Sequence, residues 1–362
     1  MKILIGGGGT GGHIYPALAL ARHASKAEQA AEILFVGSVN GLERKIVPSA
    51  GFKLLTIPAS GFRRSIKGIG VTIRDLFNGV NAARKIIGEF KPDVILGTGG
   101  YVAAPLVIAG VLERYPVVIH EQNALPGMTN RWMSPFVKKV CLSFEETTNR
   151  VPCPGKAVFT GNPRASEVKS VGRDEGSRRF ALDPALKTIL IYGGSRGALK
   201  LNQVVTTYLE KGLLPEKVNM IFVTGEIYYE EVKNNLAEVT GRVKLFPYLE
   251  DMPLALATAD LALTRSGATT LAEITALGVP VILIPSPNVV NNHQYYNAKI
   301  LADRGAAILI EEKDFNDERL AAEINRLLLD PGELTEMAAN SKKMGLPDAA
   351  DRVYRVLQEV AS

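Results

Sequence analysis

The sequence holds little cysteine. Cys141 and Cys153 are the only two in 362 residues, and their spacing fits neither a zinc site nor a framework of disulfides. This predicts reduced thiols in a cytoplasmic protein. No apolar stretch approaches the ~18 residues of a membrane span. The chain runs straight into a strand-like segment, which predicts no cleavable signal peptide. There is no Asp-x-Asp pair anywhere. An enzyme that grips a diphosphate through a divalent cation needs paired carboxylates, because hard cations take oxygen ligands. Any diphosphate here would have to be met by helix N-termini and neutral donors. Zinc spacings, a Lys-rich tail and the aromatic–basic signature of RNA binders are also missing, which argues against nucleic acid.

What is present is ordinary globular material, 46% hydrophobic and 22% charged. The length predicts two domains. The net charge of +5 hides an asymmetry: residues 1–163 carry 19 Lys and Arg against 10 Asp and Glu, and residues 164–362 carry 23 against 27. A basic half predicts a polyanionic neighbour, such as an anionic membrane, on that half alone. Thirteen apolar runs of four to seven residues recur, seven before residue 164 ("KILI" to "AVFTG") and six after 186 ("TILIYGG" to "AAILI"). Helix-period segments separate most of them, the rhythm of parallel sheets with crossover helices. The charged break "ASEVKSVGRDEGSRRFALDPALK" reads as a linker. The fold expected is α/β, with two doubly wound Rossmann-like domains, 1–163 and 164–345, facing a central cleft.

Glycine is concentrated where strands end. "GGGGTGGH" follows the first strand, "GTGGY" a later one, and "GGSRG" opens the second half. Strand, glycine turn and helix N-terminus together make an anion site. Gly6-x-Gly8-x-x-Gly11 fits the dinucleotide fingerprint, but "VGSVNG" ends the second strand without the Asp or Glu that would hold an NAD ribose. Asn40 and Arg44 leave only an NADP alternative.

The segment "LALTRSGATTLAEITALGVP" is the most informative. A helix beginning near Thr269 offers N–H groups and hydroxyls to a diphosphate. Glu273, a turn further in, can accept two hydrogen bonds from a ribose diol, or merely complement the helix dipole. "NNHQYYNAKI" follows the next strand. In "IHEQNALPGMTNR", His120 reads as a hydrogen-bonded core histidine and Asn123 as a ligand residue. "SGFRRSIKGIG" sets Arg63, Arg64 and Lys67 among Phe62, Ile66 and Ile69, and reads as a basic, apolar membrane-facing loop. Its glycines argue against a long helix. Lys138 and Lys139 are the alternative membrane contact.

In order, "GGTGGHIYPALALA", "GTGGYVAAP", "HEQNALPGMTN", "GNPRA", "GGSRGA", "RSGATTLAE" and "HQYYNA" resemble the motifs of one bacterial family. It is the undecaprenyldiphospho-muramoylpentapeptide β-N-acetylglucosaminyltransferases (the MurG family, which forms lipid II for peptidoglycan). The resemblance implies the GT-B fold, with a C-terminal helix within 346–362 crossing back to the first domain. It implies an inverting, metal-independent transfer of N-acetylglucosamine from UDP-N-acetylglucosamine to the C4 hydroxyl of undecaprenyl-linked muramoyl-pentapeptide. No cofactor is implied, and the implied place is the cytoplasmic face of the cell membrane, bound peripherally. Carried over by position, it implies substrate contacts at Thr10, Gly11, Gly12, Asn123, Ser195 and Gln294. Ala268, Thr269, Thr270, Leu271, Ala272 and Glu273 would hold the diphosphate and ribose, and backbone at Leu249 the uracil. His13 and Tyr101 would lie near the sugar and acceptor. One departure is visible: Arg164 directly follows Pro163, where many members place another residue between. Attack by a sugar hydroxyl needs a base. His13 is one choice. The other is Glu121, with His13 donating to the diphosphate or acceptor. The competing functions are a UDP-N-acetylglucosamine 2-epimerase and a non-catalytic membrane recruiter of the same fold.

Overall fold

The computed structural model describes residues 1–61, 66–168, 173–194, 197–236 and 241–362; for 66–69 and 329 it describes backbone alone. The chain forms two compact units, one of 1–167 with 346–362 and one of 168–345.

In the first unit the order is β1 (Lys2–Gly6), α1 (Gly11–Ala27), β2 (Glu32–Ser38), α2 (Glu43–Ser49), β3 (Lys53–Ile57), α3 (Ile66–Phe90), β4 (Val94–Gly97), α4 (Ala103–Leu112), β5 (Val117–Glu121), α5 (Met128–Met133), β6 (Lys139–Leu142) and β7 (Ala157–Phe159). The second unit holds α6 (Arg173–Arg179), β8 (Lys187–Tyr192), α7 (Leu199–Glu210), β9 (Val218–Val223), α8 (Tyr229–Asn235), β10 (Val243–Phe246), α9 (Met252–Thr258), β11 (Leu261–Thr264), α10 (Ala268–Leu277), β12 (Val281–Leu283), α11 (His293–Asp303), β13 (Ala307–Leu309), α12 (Asp317–Leu329) and α13 (Pro331–Met344). The final helix, α14 (Ala349–Ala361), belongs to the first unit.

Each of the thirteen apolar runs contains a strand. Runs rich in Val, Ile and Leu suit strands covered on both faces by helices. Both sheets are parallel throughout, in the orders β3-β2-β1-β4-β5-β6-β7 and β10-β9-β8-β11-β12-β13. The order reverses between β1 and β4 in one and between β8 and β11 in the other. Crevices for ligands open at the carboxyl ends of such switch points. The glycine turns lie there.

Residues 164–167 stay with the first unit, so it extends past Pro163. Arg164 lies 5.6 Å over the Tyr15 ring and pairs with Glu167, which accepts at 2.6 Å from Arg22 on α1. Residues 169–172 of the expected linker lie outside the described residues. α14 buries Ala349, Ala350, Val353, Tyr354, Val356 and Leu357. They join a core with Ile14, Leu18 and Leu20 of α1 and Ile3 and Ile5 of β1.

The glycine-flanked loop is a correction. α3 begins at Ile66 and runs 25 residues through Gly68 and Gly70. A helical glycine costs about 1 kcal/mol relative to alanine. The apolar face further along, with Ala83 and Ile87 fully buried, offsets that. Among the described residues no helix is long and apolar enough to cross a membrane.

Candidate active site

In the first unit, Gly6 on β1 lies in register with Gly97 on β4, which pairs with Ile119 on β5. The three following turns therefore emerge side by side. Thr10 caps α1, and Gly11, Gly12 and His13 form its first turn. The His13 ring packs against the next turn: a Cβ built on Gly99 would stand 3.3 Å from its Nε2, and one on Gly100 3.1 Å from its Nδ1. Gly99 and Gly100 have φ of +93° and +78°, backbone that glycine adopts at no steric cost. His13 Nδ1 is 3.1 Å from Thr10 Oγ1 and 3.3 Å from the Gly8 carbonyl oxygen. Tyr101 lays its half-exposed ring over Gly9.

His120 is a buried, hydrogen-bonded histidine, as its apolar run predicts. Burial drives its pKa down to about 4, so the ring is neutral. Nε2 donates to the Gly161 carbonyl at 2.9 Å and Nδ1 accepts from Gln122 at 3.2 Å. Gln122 also donates to the Thr98 carbonyl at 2.7 Å. Its Oε1 is buried without a partner and flanks the Gly99 position that His13 approaches.

Glu121 is 2% exposed, and burial pushes its pKa up despite the donors around it. Oε1 accepts from the Asn123 N–H at 2.9 Å; Oε2 accepts from the Gly127 N–H and the Asn130 amide, both at 2.8 Å. Both oxygens are thus engaged in holding the 123–130 turn. Asn123, half-buried beside it, also points its amide at Glu121 Oε1, 3.4 Å away. Arg164 is engaged with Tyr15 and Glu167 as described, on the α1 side of this unit.

In the second unit, Tyr192 on β8 pairs in register with Thr264 on β11, which pairs with Leu283 on β12. The chain turns at Ser266 and enters α10 with Gly267 as its cap. Thr269 Oγ1, in the first turn, is a hydroxyl shielded from solvent with no partner. Glu273 lies in the second turn and is 7% exposed. That is one turn deeper than a residue placed to complement the dipole, whose effect fades beyond the first turn. Burial, and then the Glu273 charge, push the Tyr192 phenol pKa up.

Gln294 is locked at the start of α11. Its Oε1 accepts from the Ser286 N–H at 2.9 Å and its carbonyl from Ser266 Oγ at 2.8 Å. Asn297 donates to the Ser266 carbonyl at 3.1 Å. Leu249 is buried just beyond β10. Gly194 and Gly197 have φ of +89° and +71° in the turn after β8; Ser195 lies outside the described residues. The structure thus brings the turn that carries Thr10, Gly11, Gly12 and His13 against the one that carries Gly99, Gly100 and Tyr101, with Glu121 and Asn123 at the end of the neighbouring strand β5. Ser266 ties the entrance of α10 to Gln294.

Sequence reasoning missed Glu43, which stood in no motif. Among the described residues, no group of three or more His, Cys, Asp or Glu could hold a metal ion.

Two family models match. The glycosyltransferase family 28 N-terminal domain covers residues 3–142, and the glycosyltransferase family 28 C-terminal domain covers residues 188–353. A protein of Pediococcus pentosaceus is 46% identical over the whole of both chains. It is named UDP-N-acetylglucosamine–N-acetylmuramyl-(pentapeptide) pyrophosphoryl-undecaprenol N-acetylglucosamine transferase. A Bacillus subtilis protein of the same name is 43% identical over 99% of both. The crystal structure of Acinetobacter baumannii MurG is similar over 99% of both chains, with a TM-score of 0.79 and 29% identity.

Proposed function

The chain belongs to glycosyltransferase family 28, and from that premise we infer that it transfers N-acetylglucosamine from UDP-N-acetylglucosamine to lipid-linked muramoyl-pentapeptide. The observation that carries the reading is the end of α10, where an unpartnered Thr269 hydroxyl and a buried Glu273 stand on one helix entrance. N–H groups of the first turn and the hydroxyls of Thr269 and Thr270 take the donor diphosphate. Ala268, Leu271 and Ala272 shape that turn, Glu273 accepts from the ribose hydroxyls, and Gln294 adds its amide NH₂. Backbone at Leu249 meets the uracil, with Ser195 on the neighbouring glycine turn. Thr10, Gly11, Gly12, Tyr101, Asn123 and Arg164 are assigned to the sugar and acceptor.

The reaction is a single displacement. The acceptor C4 oxygen bonds to the donor anomeric carbon as the bond to the diphosphate oxygen breaks, and UDP leaves with the electron pair. Attack opposite the leaving group inverts that centre. We assign the proton to His13, through Nε2. Histidine is the side chain that titrates nearest neutrality. The oxygens of Glu121 are already engaged by the turn they hold.

Radiolabelled UDP-N-acetylglucosamine, offered with and without the lipid acceptor, tests the reading. Label should pass to lipid, with UDP released, only when acceptor is present. UDP release or sugar epimerisation without acceptor would make the protein an epimerase, and no turnover at all a recruiter.

The first unit is also assigned to the cytoplasmic face of the membrane. Ile73 and Phe77 on α3 are 63% and 68% exposed; Trp132 and Phe136, on and just after α5, are 65% and 64% exposed. α4 packs against both helices, and Arg74, Arg131 and Lys138 are interspersed. Phe62, Arg63, Arg64 and the side chains of Ile66, Lys67 and Ile69 lie outside the described residues. Basic residues near an anionic surface contribute roughly 1 kcal/mol each, and inserted rings add to that. Phe77→Ser with Trp132→Ser should weaken binding to anionic vesicles about tenfold or more, and leave UDP affinity alone. Unchanged vesicle binding would place the membrane contact elsewhere.

A further inference from the structure

The glycine turn after β1 has a built-in ligand. Glu43, the first residue of α2, is fully buried. Its side chain turns back beneath the turn. Oε2 accepts from the Gly9 N–H at 3.0 Å; Oε1 accepts from the Ser38 N–H at 2.8 Å and the Ser38 hydroxyl at 2.7 Å. Glycines from three segments leave room for it. A Cβ on Gly8 would come within 2.5 Å of the carboxyl carbon, on Gly37 within 2.6 Å of Cγ, and on Gly41 within 2.0 Å of Oε1. Burial alone would push the carboxyl pKa up; the donors at Gly9 and Ser38 outweigh it and hold the pKa below the ordinary value. The group is therefore a buried anion met by N–H and O–H dipoles.

The Gly9 N–H and the Gly8 carbonyl are two ends of one planar peptide group. The carboxylate accepts from one end, and the other faces His13 Nδ1 at 3.3 Å. We propose that Glu43 is a positioning residue for His13, acting through the Gly8–Gly9 peptide. A carbonyl oxygen can only accept, so Nδ1 carries the proton and the lone pair is on Nε2, beside Gly99. Thr10 Oγ1, 3.1 Å away, accepts from the same N–H. An anion bonded to the N–H polarises the peptide and strengthens its carbonyl as an acceptor. The arrangement does what a buried carboxylate does when bonded directly to a catalytic histidine: it fixes tautomer and ring orientation. A peptide bond is interposed. The same carboxylate stands near the end of β2, where a dinucleotide-binding unit would hold a ribose, and it has already claimed a glycine-turn N–H that a pyrophosphate would use.

The inference rests on His13 as the base, and two measurements separate the two ideas. The first uses the unaltered protein. The imidazole ¹⁵N shifts of His13, assigned against His13→Gln, should show a neutral ring protonated on Nδ1. A proton on Nε2 overturns the relay whatever His13 does. The second is a double-mutant cycle. Glu43→Gln should lower kcat by about 10–100-fold, the range typical of groups that orient a reactive ligand, without changing the KM for UDP-N-acetylglucosamine. In a His13→Ala background the same change should cost less than about twofold, because its route is gone. An equal loss in both backgrounds means that Glu43 only shapes the turn, and the relay fails. His13→Ala losing little by itself sinks the base reading, and the ¹⁵N result still judges the relay. If Glu43→Gln does not fold, as judged by UDP binding and melting, Ser38→Ala removes one donor from the carboxylate. It should give a smaller loss with the same dependence on His13.

Discussion

The two units use one device, a glycine turn and a helix entrance at a switch point, and fill it differently. In the first, the turn after β1 is closed from behind by Glu43, fully buried, and the N–H of Gly9 is already taken. In the second, the entrance to α10 keeps an unpartnered hydroxyl on Thr269, and its carboxylate, Glu273, sits one turn inside the helix. A turn with an internal anion is rigid and presents a side chain; a turn without one presents donors. The same local sequence logic thus gives a turn backed by a buried carboxylate in one unit and a helix entrance with an unpartnered hydroxyl in the other.

The sharpest way to break this contrast is at His13. His13→Ala should fold and bind UDP nearly as well as the parent, and lose roughly 10²–10⁴ in turnover. Calorimetry with UDP beside single-turnover transfer reads both. A comparable loss of UDP affinity would mean that the first unit holds donor rather than chemistry.

Acid should distinguish the units next. The His120 pKa is lowered from 6.5 to about 4. A lowered histidine pKa means that the unfolded chain takes a proton the folded chain refuses. Its contribution is therefore whole above about pH 6.5 and lost as pH falls toward 4, about 3 kcal/mol in all at 1.36 kcal/mol per unit. Glu43, with its pKa held low, acts in the same direction at lower pH, and Glu121, with its pKa raised, acts in the opposite direction. Denaturant midpoints for the parent and for His120→Gln should diverge between pH 7 and pH 4, the parent losing more. Parallel curves would show that His120 does not titrate across folding.

Glu273→Ala tests the second unit alone. A charge-assisted pair is worth about 1.5–3 kcal/mol, so UDP should bind at least tenfold more weakly in calorimetry. Normal binding would return Glu273 to a dipole-complementing role. The smallest effect is expected from chelation. Where helix ends and hydroxyls take the diphosphate charge, EDTA should leave transfer within about twofold. Loss of turnover with rescue by Mg²⁺ would overturn that electrostatic account.

How legible this was depended on locality. The thirteen strands among the described residues were visible because a buried parallel strand writes itself as a short run of Val, Ile and Leu. The entrance to α10 was visible because Ser266 to Glu273 are consecutive. α3 was not, since its first glycines resemble a loop and the residues that stabilise it, Ala83 and Ile87, lie more than a dozen positions later. Glu43 was invisible for a related reason. Its pocket is assembled from Gly8, Gly37, Ser38 and Gly41, and only the pairing of β1 with β2 brings Gly8 to the others. Residues 164–167 group with the first unit, where a stacked Arg164 and the Arg22–Glu167 pair hold that segment.

The position of α14 has a consequence for synthesis. Val353, Tyr354, Val356 and Leu357 complete the core that Ile14 and Leu18 begin, yet some 180 residues of the second unit are translated in between. A nascent first unit must leave the apolar side of α1 uncovered on the ribosome until α14 emerges. The second unit, continuous in sequence, can close as soon as it is made. The order of completion is therefore the reverse of the order of translation, and the exposed flank of α1 is where a chaperone would find this chain.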